Sequence, residues 1–117
     1  MNSTKINEEV LYATDNVVRI ESSDIEELKQ KARLNPRRRI RICAHKNLED
    51  NIHEMLIVHE KSCYVRPHKH INKIIPMGDY ASGRKFFYRL SPSHYHTLMI
   101  HSDVLVFHEI ANGPFRP

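Results

Sequence analysis

The chain predicts a mainly β fold, a strand-rich body with the spacing of a sandwich or barrel, preceded by a hairpin and one short helix. Two observations lead there. Beyond Pro36, apolar and polar residues alternate with the period of two that places successive side chains on opposite faces of a strand. These runs are separated by turn residues at short, regular intervals.

At the N-terminal end, Val10, Tyr12, Val17, Val18 and Ile20 favour extended backbone, and Asp15-Asn16 supplies a turn between them, so a hairpin is expected over 10–20. Ser23 followed by Glu26 has the form of a capping box, and Ile25, Leu28 and Ala32 recur at helical spacing. Asn35-Pro36 ends that helix, because the residue before proline is pushed out of the helical region. In 37–45, Ile40, Ile42 and Ala44 share one strand face, and Arg39, Arg41, Cys43 and His45 share the other. After a polar turn over 47–51, further strands are expected over 53–59, 63–70, 85–90, 95–101 and 104–110, with Met55, Ile57, Leu98 and Ile100 in the core. Asn112-Gly113-Pro114 reads as a turn that lays Phe115 back on the body.

A chain of 117 residues is one domain's worth, with 1–36 holding the hairpin and helix and 37–117 the β body. The longest apolar run, Met55-Leu56-Ile57-Val58, is far short of a membrane span, and the first residues lack the basic-then-apolar design of a signal peptide. A cytoplasmic protein is expected, with Cys43 and Cys63 as free thiols. The net charge of +4 raises nucleic acid as a partner, and Arg37-Arg38-Arg39-Ile40-Arg41 is the sharpest basic cluster. The cluster is short, and no helix-turn-helix, zinc finger or ribonucleoprotein motif accompanies it. An anion pocket for a phosphorylated small molecule, or a solvated strand face, accounts for these arginines without nucleic acid or membrane.

The chemistry is concentrated in Tyr64-Val65-Arg66-Pro67-His68-Lys69-His70. In a strand, Tyr64, Arg66, His68 and His70 share one side. Residues i and i+2 lie roughly 6.5 to 7 Å apart, so two imidazoles can lean onto one ion at about 2.0 to 2.1 Å from each nitrogen. A second His-x-His, His94 and His96, follows in strand-like surroundings. Three neutral imidazoles are a competent donor set for one divalent Zn, Fe, Ni, Co or Mn ion. Tyr64 and Arg66 share the face of His68 and His70 and suit a sugar hydroxyl or phosphate. Arg41 and His45 face together as further pocket candidates, His45 and Tyr64 being the groups able to move a proton. Cys43 lacks an identifiable base and is a poor nucleophile.

Set beside Ser91-Pro92-Ser93-His94-Tyr95-His96, with Arg41-Ile42-Cys43-Ala44-His45, Met55-Leu56-Ile57, Phe107-His108-Glu109 and Asn112-Gly113-Pro114-Phe115, the chain resembles the WbuC-type cupin-fold metalloproteins. The resemblance covers roughly 37–115. It implies a small antiparallel cupin (jelly-roll) barrel in which His68, His70 and His96 converge on one divalent metal, with His94 left aside. It also implies a setting in surface-polysaccharide synthesis. The expected function is thus to bind or act on a sugar or sugar nucleotide, isomerase- or epimerase-like if catalytic. The alternative is a non-catalytic carbohydrate-binding or regulatory module, and in either case a homodimer is expected. One departure stands out: the family's Glu ligand does not follow His70, where Ile71-Asn72-Lys73 runs directly into Ile74-Ile75-Pro76-Met77-Gly78. Two strands and their turn, about 20 to 25 residues, are missing from the pattern at Lys73–Ile74. Either the sequence skips a hairpin carrying that Glu, or the barrel has been cut down; Glu109 is then the one late-strand carboxylate able to replace the ligand.

Overall fold

A computed structural model describes residues 1–61, 75–91 and 98–114. The chain divides into two compact units, Met1–Tyr64 with Ile100–Pro117, and Val65–Met99. The first holds a five-stranded mixed sheet in the order β1-β2-β3-β4-β5 and one helix. The strands are β1 (Ser3–Lys5), β2 (Val10–Ala13), β3 (Arg39–Cys43), β4 (Ile52–Glu60) and β5 (Val104–Asn112), and the helix is α1 (Ser22–Leu34). The mainly β class holds; among the described residues the sheet is open, with β1 and β5 at its edges.

The hairpin lies upstream of its expected place. β2 pairs antiparallel with β1, and the amides of Ile6 and Asn7 bond the Val10 carbonyl to close the turn. On its other side β2 pairs with β3 in parallel, so its backbone is satisfied twice and residues 17–20 are free to lead into the helix. The Asp15 carboxylate takes two hydrogen bonds from Asn2, backbone 3.1 Å and side chain 3.0 Å, which ties the first residues down rather than turning a hairpin at Asp15-Asn16. The parallel pair also makes the sheet mixed rather than antiparallel throughout. Parallel neighbours need a crossover, and α1 is that crossover.

The helix begins two residues earlier than Ser23-Glu26 indicates. Glu21 is the N-cap residue, and the Asp24 carboxylate accepts its backbone N–H at 2.8 Å. The pattern of cap and third residue is therefore present with the roles moved upstream. Lys31 and Arg33 stand in the last turn, where cations complement the helix dipole. Leu28 and Ala32, fully buried, press against Ile40, Ile42 and Val58 and form the main core with Leu11 and Ala13. Each large aliphatic side chain so buried contributes about 1.5 to 3 kcal/mol.

The alternation over 37–45 and 53–59 survives intact. β3 and β4 pair antiparallel from Arg39↔His59 to Cys43↔Met55, and β4 and β5 from Ile52↔Asn112 to Glu60↔Val104. Even-numbered residues of β3 and β4 face the helix; Cys43, Met55 and Ile57 form a second buried cluster on the opposite face with Tyr12 and Phe107. The polar turn is closed by the Asp50 carboxylate, which accepts from the amides of Lys46 at 2.5 Å and Asn47 at 3.3 Å.

In the second unit, residues 85–90 form no strand beyond one parallel bridge between Met77 and Lys85. A strand exists through its neighbours' hydrogen bonds, and the apolar composition of Phe86-Phe87-Tyr88 does not supply them. Tyr80–Ser82 makes a single 3-10 turn, ended by Gly83 in the left-handed region at φ 72°, which glycine adopts without strain. The strand expected over 63–70 lies outside the described residues, as does the Lys73–Ile74 junction; of 95–101, residues 98–101 are described and carry no strand.

Candidate functional site

Arg41, His45 and Glu109 are the sequence candidates that fall among the described residues. The register sets them on the sheet face opposite α1: Arg41 pairs with Ile57, Cys43 with Met55, and Met55 in turn with Glu109. A row runs across this face from Tyr12 through Cys43 and Met55 to Glu109. His68, His70, His96, Arg66 and Tyr64 lie outside the described residues.

Arg41 differs from the rest of the basic cluster. Arg37 and Arg39 share the Glu9 carboxylate, each at 3.0 Å, and Arg38 and Arg33 share Glu60 at 3.3 and 3.1 Å. Those arginines fasten strand, helix and loop. Arg41 enters none of these pairs and is exposed, lying near the buried Cys43 thiol. Burial pushes that thiol's pKa up despite the Arg41 charge, which makes Cys43 a packing residue rather than a nucleophile.

His45 is buried just past the end of β3. Its ring stacks on His53 with centroids 4.1 Å apart and meets Tyr12 edge-on at 5.4 Å. The Glu54 carbonyl already accepts the Ala44 amide at 2.8 Å, and the Glu54 N–H, pointing the same way, lies 3.1 Å from His45 Nδ1. The Glu54 carbonyl also lies 3.2 Å from Nδ1, so the neutral ring has two tautomers open to it: Nδ1 accepting from the Glu54 N–H, or Nδ1–H donating to the Glu54 carbonyl. Burial lowers the His45 pKa, with the neighbouring His53 adding to the effect and the hydrogen bond to Glu54 opposing it. His53 Nε2 donates to the Leu48 carbonyl at 3.1 Å. A Cβ at Gly113 would stand 2.6 Å from the His53 ring, so glycine lets the end of β5 close over this pair.

His59, at the other end of β4, is buried and meets Phe107 edge-on at 5.3 Å. Its Nδ1 has no hydrogen-bond partner among the described residues. Burial first, then the Arg39 charge, lower its pKa to about 4, against a weaker opposite pull from Glu9. Sequence reasoning left His53 and His59 as strand ends, although both follow the alternation of Met55 and Ile57 that assigns them to this face.

Among the described residues, no three His, Cys, Asp or Glu side chains are grouped so as to hold a metal ion. Glu109 stands on the candidate face without such a group. A metal centre in this chain would draw on His68, His70 and His96, whose three nitrogen donors suit a divalent first-row ion in chemistry and number.

Over residues 20–75 the chain is similar to a family described as a domain of unknown function (DUF6016), a stretch that takes in α1, β3 and β4. No curated protein and no solved structure matches the chain.

Proposed function

We propose that this chain is a metal-binding cupin-type protein that binds or acts on a sugar or sugar nucleotide in surface-polysaccharide synthesis, working in the cytoplasm as a homodimer. The observation that carries the ligand class is Arg41. Where the cluster's other arginines are neutralised by Glu9 and Glu60, Arg41 is exposed and has no acidic partner among the described residues, which suits it to meet an incoming anion. A guanidinium takes phosphate through two parallel N–H donors. The antiparallel run β3-β4-β5, with two strands of nine residues, suits one wall of a jelly-roll barrel. A bound divalent ion would act as a Lewis acid toward a carbonyl or hydroxyl oxygen. His68, His70 and His96 would hold it, and Arg41, Arg66 and Tyr64 would orient the sugar or its phosphate.

The test combines metal content with ligand-induced stabilisation. About one equivalent of divalent metal per chain is expected, and less than a tenth after reloading with Zn, Fe, Ni and Mn in turn would end the metal reading. Sugar nucleotides should raise Tm through linkage and neutral sugars much less, with the difference reduced in Arg41→Ala. Equal effects would remove the anion site.

The second reading is a non-catalytic carbohydrate-binding or regulatory module. Its support is the sequence pattern, in which the family's Glu ligand does not follow His70. Turnover of nucleotide sugars by metal-loaded protein separates the two readings.

A further inference from the structure

On the helix side of the sheet, beyond the reach of Leu28 and Ala32, lies a cleft of about 420 Å³ that the preceding reading does not use. Val18 and Ile20, from the segment entering α1, form one wall, and Ile42, Ala44 and Leu56 line the sheet side. The volume is within the range of small-molecule pockets, about 300 to 1,000 Å³, but the cleft is half open to solvent and its lining mixes apolar side chains with polar groups.

Those polar groups are Glu54 and His108. His108 is opposite Leu56 in the β4–β5 register and Glu54 opposite Ile110, so the two are diagonal neighbours on this face. His108 Nε2 lies 2.9 Å from Glu54 Oε1, and both side chains are about half exposed. With the imidazole in its neutral form, Nε2–H is given to Oε1. What remains at the cleft is then acceptor only: the second carboxylate oxygen and His108 Nδ1. An ammonium, with three donors and no acceptor, complements this pair in both charge and hydrogen bonding.

We infer that this cleft is a binding site for a small amine with an apolar body, the hydrocarbon part seated between Ile20 and Leu56 and the ammonium at Glu54 and His108. The site is on the sheet face opposite Arg41 and His45, so it stands or falls independently of the sugar-nucleotide reading.

Cyclohexylmethylamine, cyclohexylmethanol and cyclohexanecarboxylate are probes of nearly equal shape that differ in charge. Titrated at pH 8 into ¹⁵N-labelled full-length protein, the amine is expected to shift the amides of Val18, Ala44, Glu54 and His108 and to saturate below about 1 mM. The alcohol should bind more weakly and the carboxylate not at all. Glu54→Gln, a conservative change at an exposed position, should weaken the amine about threefold, as a half-exposed charge pair allows, and leave the alcohol unchanged. Ala44→Leu should fill the cleft and exclude both. Equal binding of all three probes, amine shifts elsewhere than at the cleft, or no saturation by about 1 mM overturns the inference.

Discussion

His59 shows how a single strand position carries an energetic cost that its neighbours outweigh. Its Nδ1 is buried without a partner among the described residues, and its pKa is lowered to about 4 from an ordinary 6.5. Below pH 6.5 the unfolded chain takes up this proton before the native state does, so stability present at neutral pH is lost as pH falls from 6.5 toward 4. At about 1.4 kcal/mol per unit the bound is about 3.5 kcal/mol, and solvent screening brings it lower. His59→Leu should flatten urea-measured stability across that window, and at pH 7.5 it should be neutral or stabilising, because it removes an unsatisfied polar atom. An unchanged pH profile would assign the acid sensitivity elsewhere. Gly113 makes the opposite case. Gly113→Ala must push the His53 ring, 2.6 Å from the new Cβ, and the Asp50 backbone aside, and should cost about 2 kcal/mol or more in denaturant midpoint.

Between elements, the joint that orders the helix against the sheet is Asn35. It is buried after the last turn of α1, and its side chain acts in both directions: Nδ2 donates to the Arg39 carbonyl at 2.5 Å, and Oδ1 accepts the Arg39 amide at 3.2 Å. The same Nδ2 lies 3.4 Å from the Glu8 carbonyl, so helix end, β3 start and the approach to β2 meet on one amide. Sequence rules explain why the helix stops before Pro36; they do not reveal this pairing, which depends on a residue 27 positions away. Asn35→Ala should cost about 1 to 3 kcal/mol by leaving buried backbone groups unpaired. Asn35→Asp should cost a comparable amount, since a carboxylate cannot donate to Arg39; full stability in either variant would show that the joint is made elsewhere. At the other end of the helix, Asp24→Ala loses a cap-type bond and an ion pair with the Met1 ammonium at 3.8 Å, and should cost about 1 kcal/mol, read as a small shift in Tm.

For the whole chain, the two faces of one sheet serve different purposes. The helix face, where α1 packs on β3 and β4, supplies the apolar core. The face opposite the helix gathers Tyr12, Arg41, Cys43, His45, His53, His59 and Glu109. Because the described core is aliphatic, a chelator that removed the proposed metal should leave the far-ultraviolet spectrum nearly unchanged, whereas a structural zinc site would unfold. Among the described residues no helix is long and apolar enough to cross a membrane.

What the sequence determined by itself is local and periodic. The helix around Leu28 and Ala32, its stop at Asn35, and the two faces of β3 and β4 were all legible because periods of 3.6 and 2 are imposed by the backbone at each residue. Which strands pair was not legible. Val10–Ala13 chose Ser3–Lys5 and Arg39–Cys43 over Val17–Ile20, and 85–90 formed no strand beyond the bridge at Lys85 despite its aromatics. Pairing is a property of what the rest of the fold brings alongside, not of the segment. The same holds for the candidate site: Arg41 and His45 were recognised from their shared face, but only the tertiary structure removed Arg37, Arg38 and Arg39 from consideration. It did so by delivering Glu9 and Glu60 to them from other elements, since ion pairing depends on distances that chain folding, and not residue order, decides.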